Sequence, residues 1–549
     1  MPILLETTEL TKQFGERLLF RTPPLRIYEG DRIGLVGPNG SGKSSLLAVL
    51  AGELEPDEGA VRRRCAVTLA RQLGQGEEPP APEELSRFGL RGNQPPPERM
   101  SGGEQERRKL AAALGGRPAL LFADEPTSNL DWEGIRLLCK RLEDFPTFLL
   151  VSHDRAVLEQ LCSQIWELRE GKLFQYEGSF SAFQAQRQEE LERRRFEAEA
   201  YEKEKKRLEH SVQALREKAS SVRKAPTRMG NSEARLHKRS STNAQAKISQ
   251  GRKILETRLE RLEKKEAPRE QEAVRFDFSL TNPPENKVVL RAEDVSLSQG
   301  GKTLLEHARL ELKKNSRTLL FGPNGCGKTT LLNWLYQGIA EGGPGLFAAP
   351  RLRVGYFRQS LENIDLQKSV LENAMASSVQ TEGTVRALLA RLLFRREDVY
   401  KPAGVLSGGE RVKLSFACLL ASPVNFLFLD EPTNYLDMDS MDALRDTLLE
   451  YEGGFLLVSH DRSFADALAR RTLVFQGKRL LPFDGGPSAW EAAQTAPKPE
   501  PKPMALSVVE LRLAEVISRL SLPNCQEKER LEEEFQELLR QKRELSVKK

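Results

Sequence analysis

Short apolar runs, each about as long as one buried strand, recur in two groups along the chain. RIGLVG (32–37), LLFAD (120–124) and FLLVS (148–152) form the first group; RTLLFG (317–322), FLFLD (426–430) and FLLVS (455–459) form the second. Runs of this kind, ending in Gly at the first of each group and in Asp at the second, predict buried strands in two α/β halves. Elsewhere the spacing turns helical. Tyr201, Leu208, Val212 and Leu215 step by seven, four and three, and Ile248, Leu255, Leu259 and Leu262 repeat those steps. Two narrow seams of one period predict an antiparallel α-helical hairpin. Pro226 and Gly230 break the pattern at its tip, and Pro268 closes the return arm. At ~1.5 Å per residue an outgoing arm near 182–222 reaches about 60 Å. After a Pro/Lys-rich linker, Leu506, Val509, Leu513, Val516 and Leu520 step by three and four. Leu531, Phe535, Leu538 and Leu545 return beyond SLPN, which predicts a small C-terminal helical hairpin.

Composition narrows the class. The chain has 549 residues, enough for several domains, with 39% hydrophobic and 30% charged residues. No apolar run approaches the length of a bilayer span, and MPILLETTEL lacks the basic and apolar regions of a secretory signal. Cys65, Cys139, Cys162, Cys326, Cys418 and Cys525 are scattered without a CxxC pair, which argues against disulfide scaffolds, zinc ribbons and iron–sulfur clusters. A cytoplasmic protein is expected. Its net charge of +5 is unevenly distributed: eleven basic residues lie between Arg216 and Lys253 against two acids, Glu217 and Glu233. A local positive field of this density points to a polyanionic partner.

The apolar runs belong to a repeat that carries chemistry. GPNGSGKSS (37–45) recurs as GPNGCGKTT (322–330), SGGEQERRKL (101–110) as SGGERVKLSF (407–416), LLFADEPTSNLD (120–131) as FLFLDEPTNYLD (426–437), and LLVSHDR (149–155) at 456–462. The order is the same in both halves. Glycine-rich loops between a strand and a helix let backbone N–H groups surround phosphate oxygens at a positive helix end. The nucleotide-binding expectation covers Gly37, Pro38, Asn39, Gly40, Ser41, Gly42, Lys43, Ser44 and Ser45, and Gly322, Pro323, Asn324, Gly325, Cys326, Gly327, Lys328, Thr329 and Thr330. Lys43 and Lys328 would hold the β- and γ-phosphates, while Ser44 and Thr329 would ligate Mg²⁺. Asp124 and Asp430 would orient the metal, and Glu125 and Glu431 would take a proton from the attacking water. His153 and His460 are placed to contact the γ-phosphate, and Gln72 and Gln359 to sense metal and nucleotide.

Motifs in this order, twice over, resemble the ATPase domains of the ATP-binding cassette superfamily. The resemblance implies two P-loop cassettes facing head to tail within one chain, each ATP held between one phosphate loop and the opposite signature. One site would then pair the first loop with Ser407, Gly408, Gly409 and Glu410, and the other would pair the second loop with Ser101, Gly102, Gly103 and Glu104. Both sites keep the Glu and the His, so both are expected to hydrolyse ATP. Phe14 stands where the family stacks an aromatic on adenine, but the second half has Gly300 there. The stretch between Gln72 and Ser101 is short and Pro-rich, which predicts a trimmed helical subdomain in the first cassette.

Between the cassettes, the hairpin tip carries Arg223, Lys224, Arg228, Met229, Asn231, Arg235, Leu236, His237, Lys238 and Arg239. Arg, Lys, Ser and Asn position RNA backbones, and Met229 or Leu236 can reach an apolar or stacked-base environment. A solvated coiled-coil end is the bland alternative, against which stand the unmixed charge and the rigid arms. Paired cassettes, no membrane domain and a charged interdomain hairpin resemble the ABC-F family of translation factors. That resemblance implies binding at the exit site of the 70S ribosome and a hairpin directed at rRNA of the large subunit, the P-site tRNA and the peptidyl transferase centre. RMGNSEARLHKR (228–239) and the absence of an arm insertion resemble the antibiotic-resistance branch. The expected organisation is a first cassette at 1–180, the hairpin at 181–270, a second cassette at 271–490, a linker at 491–505 and the C-terminal hairpin at 506–549, in a monomer using ATP and Mg²⁺. An exporter motor with a separate membrane partner and a DNA-repair ATPase remain the alternatives, as does an ABC-F factor serving ordinary translation.

Overall fold

Residues in the apolar runs alternate between two cores, which is why the runs are continuous. In the first half Leu121, Ala123, Phe148 and Leu150 enter one core, while Leu120, Phe122, Leu149 and Val151 enter another. In the second half Leu427, Leu429, Phe455 and Leu457 face one way and Phe426, Phe428, Leu456 and Val458 the other. Side chains on a strand alternate in direction, so a strand covered on both faces has no polar position left. The computed structural model describes residues 1–70, 118–128, 130–221, 247–262, 277–358, 364–394, 397–495, 506–520 and 528–547, with a few positions between 85 and 114. Met1–Gly486 forms one unit and Pro487–Lys549 another.

The first sheet runs Val67–Ala70, Leu120–Asp124, Phe148–Val151, Arg32–Val36 and Gln164–Arg169 in parallel, and continues through antiparallel Lys172–Glu177. The second repeats that order with Val354–Phe357, Phe426–Asp430, Gly454–Val458, Arg317–Phe321, Arg471–Gln476 and antiparallel Arg479–Asp484. A three-stranded antiparallel sheet accompanies each, built on Ile3–Thr7 in one half and Val288–Gln299 in the other. The strands that feed the phosphate loops are central, and the loops leave at their C-terminal ends, where open α/β sheets bind ligands.

A 42-residue helix, Phe180–Ser221, leaves the first sheet. Phe180 and Phe183 are buried in that half's core, so the arm is rooted rather than tethered. Residues 247–260 form the returning helix. Leu208 and Val212 are 4% and 6% exposed, and Tyr201, Leu215, Ile248, Leu255, Leu259 and Leu262 are half-buried, as the seam requires. Arg216 to Glu256 at 3.1 Å and Arg258 to Glu204 at 3.4 Å tie the arms together. All ten tip residues lie outside the described residues, as do Gln72, Gln359, Ser101 to Glu104, Pro268 and most of the short segment before the first signature.

In the second unit the helices Leu506–Leu520 and Lys528–Val547 bury Val509, Leu513, Val516, Leu531 and Leu538 against one another. A further helix, Pro487–Thr495, extends five residues into the stretch that composition assigns to a linker. No described helix is long and apolar enough to cross a membrane.

The seam makes the hairpin's rigidity testable. Leu208→Ala or Val212→Ala should cost the paired arms about 1–3 kcal/mol, read as roughly tenfold or faster amide exchange within 200–215. Thermal unfolding of the cassettes should stay unchanged, because neither side chain enters their cores.

Candidate functional site: two phosphate loops closed by the opposite half

Each loop is strand, glycine turn and helix. Gly42 and Gly327 sit at φ 104° and 108°, left-handed positions that admit Gly readily. The helices they open, Lys43–Ala51 and Lys328–Glu341, have no side-chain cap. Their first N–H groups therefore remain available to an anion. Lys43 Nζ donates to the carbonyls of Gly37 (2.8 Å) and Pro38 (3.1 Å), and Lys328 Nζ to those of Gly322 (2.9 Å) and Pro323 (3.1 Å). Both ammonium groups are thus held inside their loops, and burial pulls the Lys43 pKa down. Ser44 and Thr329 are exposed at the loop mouths, and Ser45 is half-buried.

Glu125 and Glu431 follow their strands at φ 51° and 49°, the same strained conformation in both halves. Their amides donate to Val151 and Val458 at 2.9 Å, which fixes them. His153 Nε2 lies 2.9 Å from Glu125 Oε1, and His460 Nε2 lies 3.2 Å from Glu431 Oε1. In the second half, burial pushes Asp430 up to about 6 and Glu431 up to about 7, and drops His460 to about 3. The imidazole is therefore neutral at pH 7, and the carboxyl is poised to take a proton.

The donor set fits Mg²⁺ and a polyphosphate. Asp430 Oδ1 beside the second loop and Ser41 Oγ in the first are buried with no hydrogen bond, and each loop also offers a buried lysine and an uncapped helix start. A hard cation seeks such carboxylate and hydroxyl oxygens, and a phosphate seeks such N–H groups.

The two halves meet at these loops. Asn39 donates from its backbone N to Asp437 Oδ2 at 2.9 Å and from Nδ2 to the Tyr435 carbonyl at 2.8 Å. Reciprocally, the Asn324 amide donates to Asp131 Oδ2 at 3.1 Å. A Cβ on Gly409 would lie 3.6 Å from Asn39 Nδ2, so the start of helix Gly408–Ala421 faces the first loop, as the head-to-tail expectation requires. The structure thus brings Gly409, in the first turn after Ser407, to the first loop. Glu410 differs from expectation: its carboxylate turns back to the Ser407 amide (2.8 Å) and hydroxyl (2.7 Å), securing the helix start rather than facing a nucleotide. Thr330 likewise donates to Gln299 Oε1 at 2.9 Å, away from the loop. Cys326 is half-buried, and burial raises its thiol pKa.

Phe14 is 56% exposed at the end of its strand, open to stack on a base. Gly300 lies in a turn at φ 58° with nothing within 4 Å of a would-be Cβ, and offers no such face. Asp131 and Asp437 are the site residues that motif reasoning missed. The signal was present, since the repeated block ends in NLD and YLD in its two copies.

Comparison with known proteins places this geometry. Residues 20–79 and 305–434 match the family model described as ABC transporter. The ribosome protection protein VmlR of Bacillus subtilis (strain 168) is 30% identical over 492 residues, covering 87% of this chain and 88% of the relative. The erythromycin resistance ATP-binding protein MsrA of Staphylococcus epidermidis is 31% identical over 474 residues, covering 83% and 94%. Among solved structures, the archaeal ribosome recycling factor aABCE1, in complex with stalk protein aP1, matches with a TM-score of 0.55 at 21% identity over 88% of this chain and 92% of that one, a likeness of fold.

Glu125→Gln leaves the second loop as the working site. Turnover of ATP by that variant should fall as pH drops through about 7, since a protonated Glu431 cannot accept a proton. A pH profile of kcat/KM for Mg-ATP, which reports groups of the free enzyme, checks this, and a flat profile from about 6 to about 8 contradicts it.

Proposed function

The chain belongs to the ABC-F family of ATP-binding cassette proteins, and we propose that it acts on the ribosome as an ATP hydrolase, converting ATP and water to ADP and phosphate. The first site would use Lys43, Asp124, Glu125 and His153 with Ser407, Gly408 and Gly409. The second would use Lys328, Asp430, Glu431 and His460 with Ser101, Gly102 and Gly103. Gln72 and Gln359 would monitor the metal in the respective sites, and Phe14 would stack on adenine in the first. Bound Mg²⁺, held through Ser44 or Thr329 and the neighbouring Asp, supplies charge neutralisation at the β- and γ-phosphates. The lysine ammonium and the loop amides bind the phosphates, the His orients the γ-phosphate edge, and the Glu takes the proton from water.

Closing the halves would then aim the hairpin. In this reading the protein enters the ribosomal exit site of the 70S particle in the cytoplasm. The basic tip from Arg223 to Arg239 meets rRNA of the large subunit and the P-site tRNA near the peptidyl transferase centre, dislodging bound antibiotics there. Supporting it are two relatives, one a ribosome protection protein and the other an erythromycin resistance ATP-binding protein. The observation that carries it is the rooted arm: Phe180 and Phe183 lie in the cassette core, and the same helix leads to the basic segment. Such a build transmits motion of a cassette to a distant cationic loop.

Glu125→Gln combined with Glu431→Gln should co-sediment with ribosomes in ATP, because binding then outlasts the blocked hydrolysis. Sedimentation free of ribosomes in ATP contradicts the reading. Replacing 226–240 with a neutral Gly/Ser loop should keep that co-sedimentation and abolish protection of translation from peptidyl-transferase inhibitors. Protection that survives the exchange removes the tip from the mechanism.

A further inference from the structure

A charged cluster at the root of the hairpin has no counterpart in the second half. Glu167 is 2% exposed within the strand Gln164–Arg169, an expensive place for a carboxylate unless it is well paired. In the matching ladder of the second half the same position holds Val474, and Tyr176 is matched by Phe483. The ATP-binding chemistry is therefore served without these polar groups. What differs is the continuation of the chain, since the long helix Phe180–Ser221 follows only the first copy.

The cluster's connections lead outward. Tyr176 Oη donates to Glu167 Oε2 at 3.3 Å and to Glu190 Oε2 at 3.5 Å, and Arg169 Nη1 lies 3.5 Å from Glu167 Oε2. Arg187, two turns into the long helix, places Nε 3.4 Å from Glu167 Oε1 and donates both Nη groups to Asp439 of the second half, at 3.1 and 3.2 Å. The fork on Asp439 is bidentate. The Nε of Arg187, by contrast, is buried without a hydrogen bond, so its contact with Glu167 is incomplete in this state. Asp439 lies in the first turn of helix Met438–Glu450, whose N-cap Asp437 accepts the Asn39 amide of the first phosphate loop. One helical turn thus holds both the nucleotide loop and the hairpin.

We propose that Arg187 is a positioning residue that passes closure of the cassettes to the hairpin, adding to a partner inside its own half, Glu167, a bidentate one across the interface, Asp439. When Asp437 leaves the first loop, Asp439 leaves with it. Arg187 then has only Glu167, and the long helix loses its second anchor. This rests on the reading that the hairpin acts when the cassettes close, but it can be measured without ribosomes.

The test is amide exchange on the full-length Glu125→Gln/Glu431→Gln protein, with and without Mg-ATP. Two segments are followed: 37–45 reports closure, and 183–200 reports the hairpin root. ATP should slow both in the parent, the root by about tenfold, in line with a well-formed charge-assisted pair. Adding Asp439→Asn, which leaves Glu167 paired, should keep the slowing at 37–45 and hold the root within about twofold of its ATP-free rate. Arg187→Ala should do the same, and Arg187→Lys, with the charge but not the fork, should give an intermediate value. Equal root protection in the parent and Asp439→Asn overturns the proposal. So does a parent root indifferent to ATP, or an Asp439→Asn protein whose loop also fails to slow, since the contact would then make closure rather than transmit it. Ribosome co-sedimentation is a separate readout, so either idea can fail alone.

Discussion

Two backbone amides, one in each phosphate loop, each donate to an aspartate of the other half, and the rest of the assembly depends on that exchange. Asn39 reaches Asp437 and Asn324 reaches Asp131. Burial works against ionising either carboxylate. The Asn324 and Gly134 amides outweigh it at Asp131, as Ser440 and the Asn39 amide do at Asp437, so both titrate below the ordinary 3.8. Their contribution to the closed arrangement is therefore complete above that value and lost only as the pH falls through the lowered one. A hydrogen bond to a charged group contributes about 1.5–3 kcal/mol. Two such bonds can bias a domain equilibrium without locking it.

The same aspartates cap helices: Asp131 accepts from Gly134 and Asp437 from Ser440, both at 2.9 Å. Each therefore has one oxygen committed to its own helix and one to the opposite loop, so the helix end moves as a unit with the phosphate loop it touches. Around this exchange the halves are not equivalent. Trp132 packs edge-on against Phe321 at 5.2 Å and lies under the Arg462 guanidinium, whereas Arg155 on the other side pairs with Asp442 at 2.6 Å. One seam has an aromatic wedge and the other an ion pair, so solvent and salt act on them unequally.

Much of this was legible in the order of residues, because strand pattern and phosphate chemistry are local. The continuous apolar runs marked strands buried on both faces, and the glycine loops marked the helix ends. The seam through Leu208 and Val212 was readable because helical spacing is periodic. Asp131 and Asp437 were passed over because their partners lie about two hundred and about four hundred residues away, and no spacing rule spans that gap. Glu410 misled for a different reason. An acid three residues after a helix-opening Ser serves as a capping box as readily as a ligand contact, and only the direction of its carboxylate decides.

Glu167 extends that lesson from position to purpose. An acidic residue between apolar neighbours in a buried strand conflicts with the pattern that identifies the strand, and the second copy shows that valine suffices there. Local conflicts of this sort persist where something other than stability depends on them. Here the carboxylate gathers Tyr176, Arg169 and Arg187 at the point where the long helix crosses from one half toward the other. The apolar contacts of Phe180 and Phe183 hold only the start of the helix to its own cassette, and such contacts do not discriminate between states. A charged contact can be gained or given up at little net cost, provided a second carboxylate keeps the guanidinium paired. Asp439 and Glu167 meet that condition, since the fork of Arg187 takes Asp439 while its Nε lies 3.4 Å from Glu167.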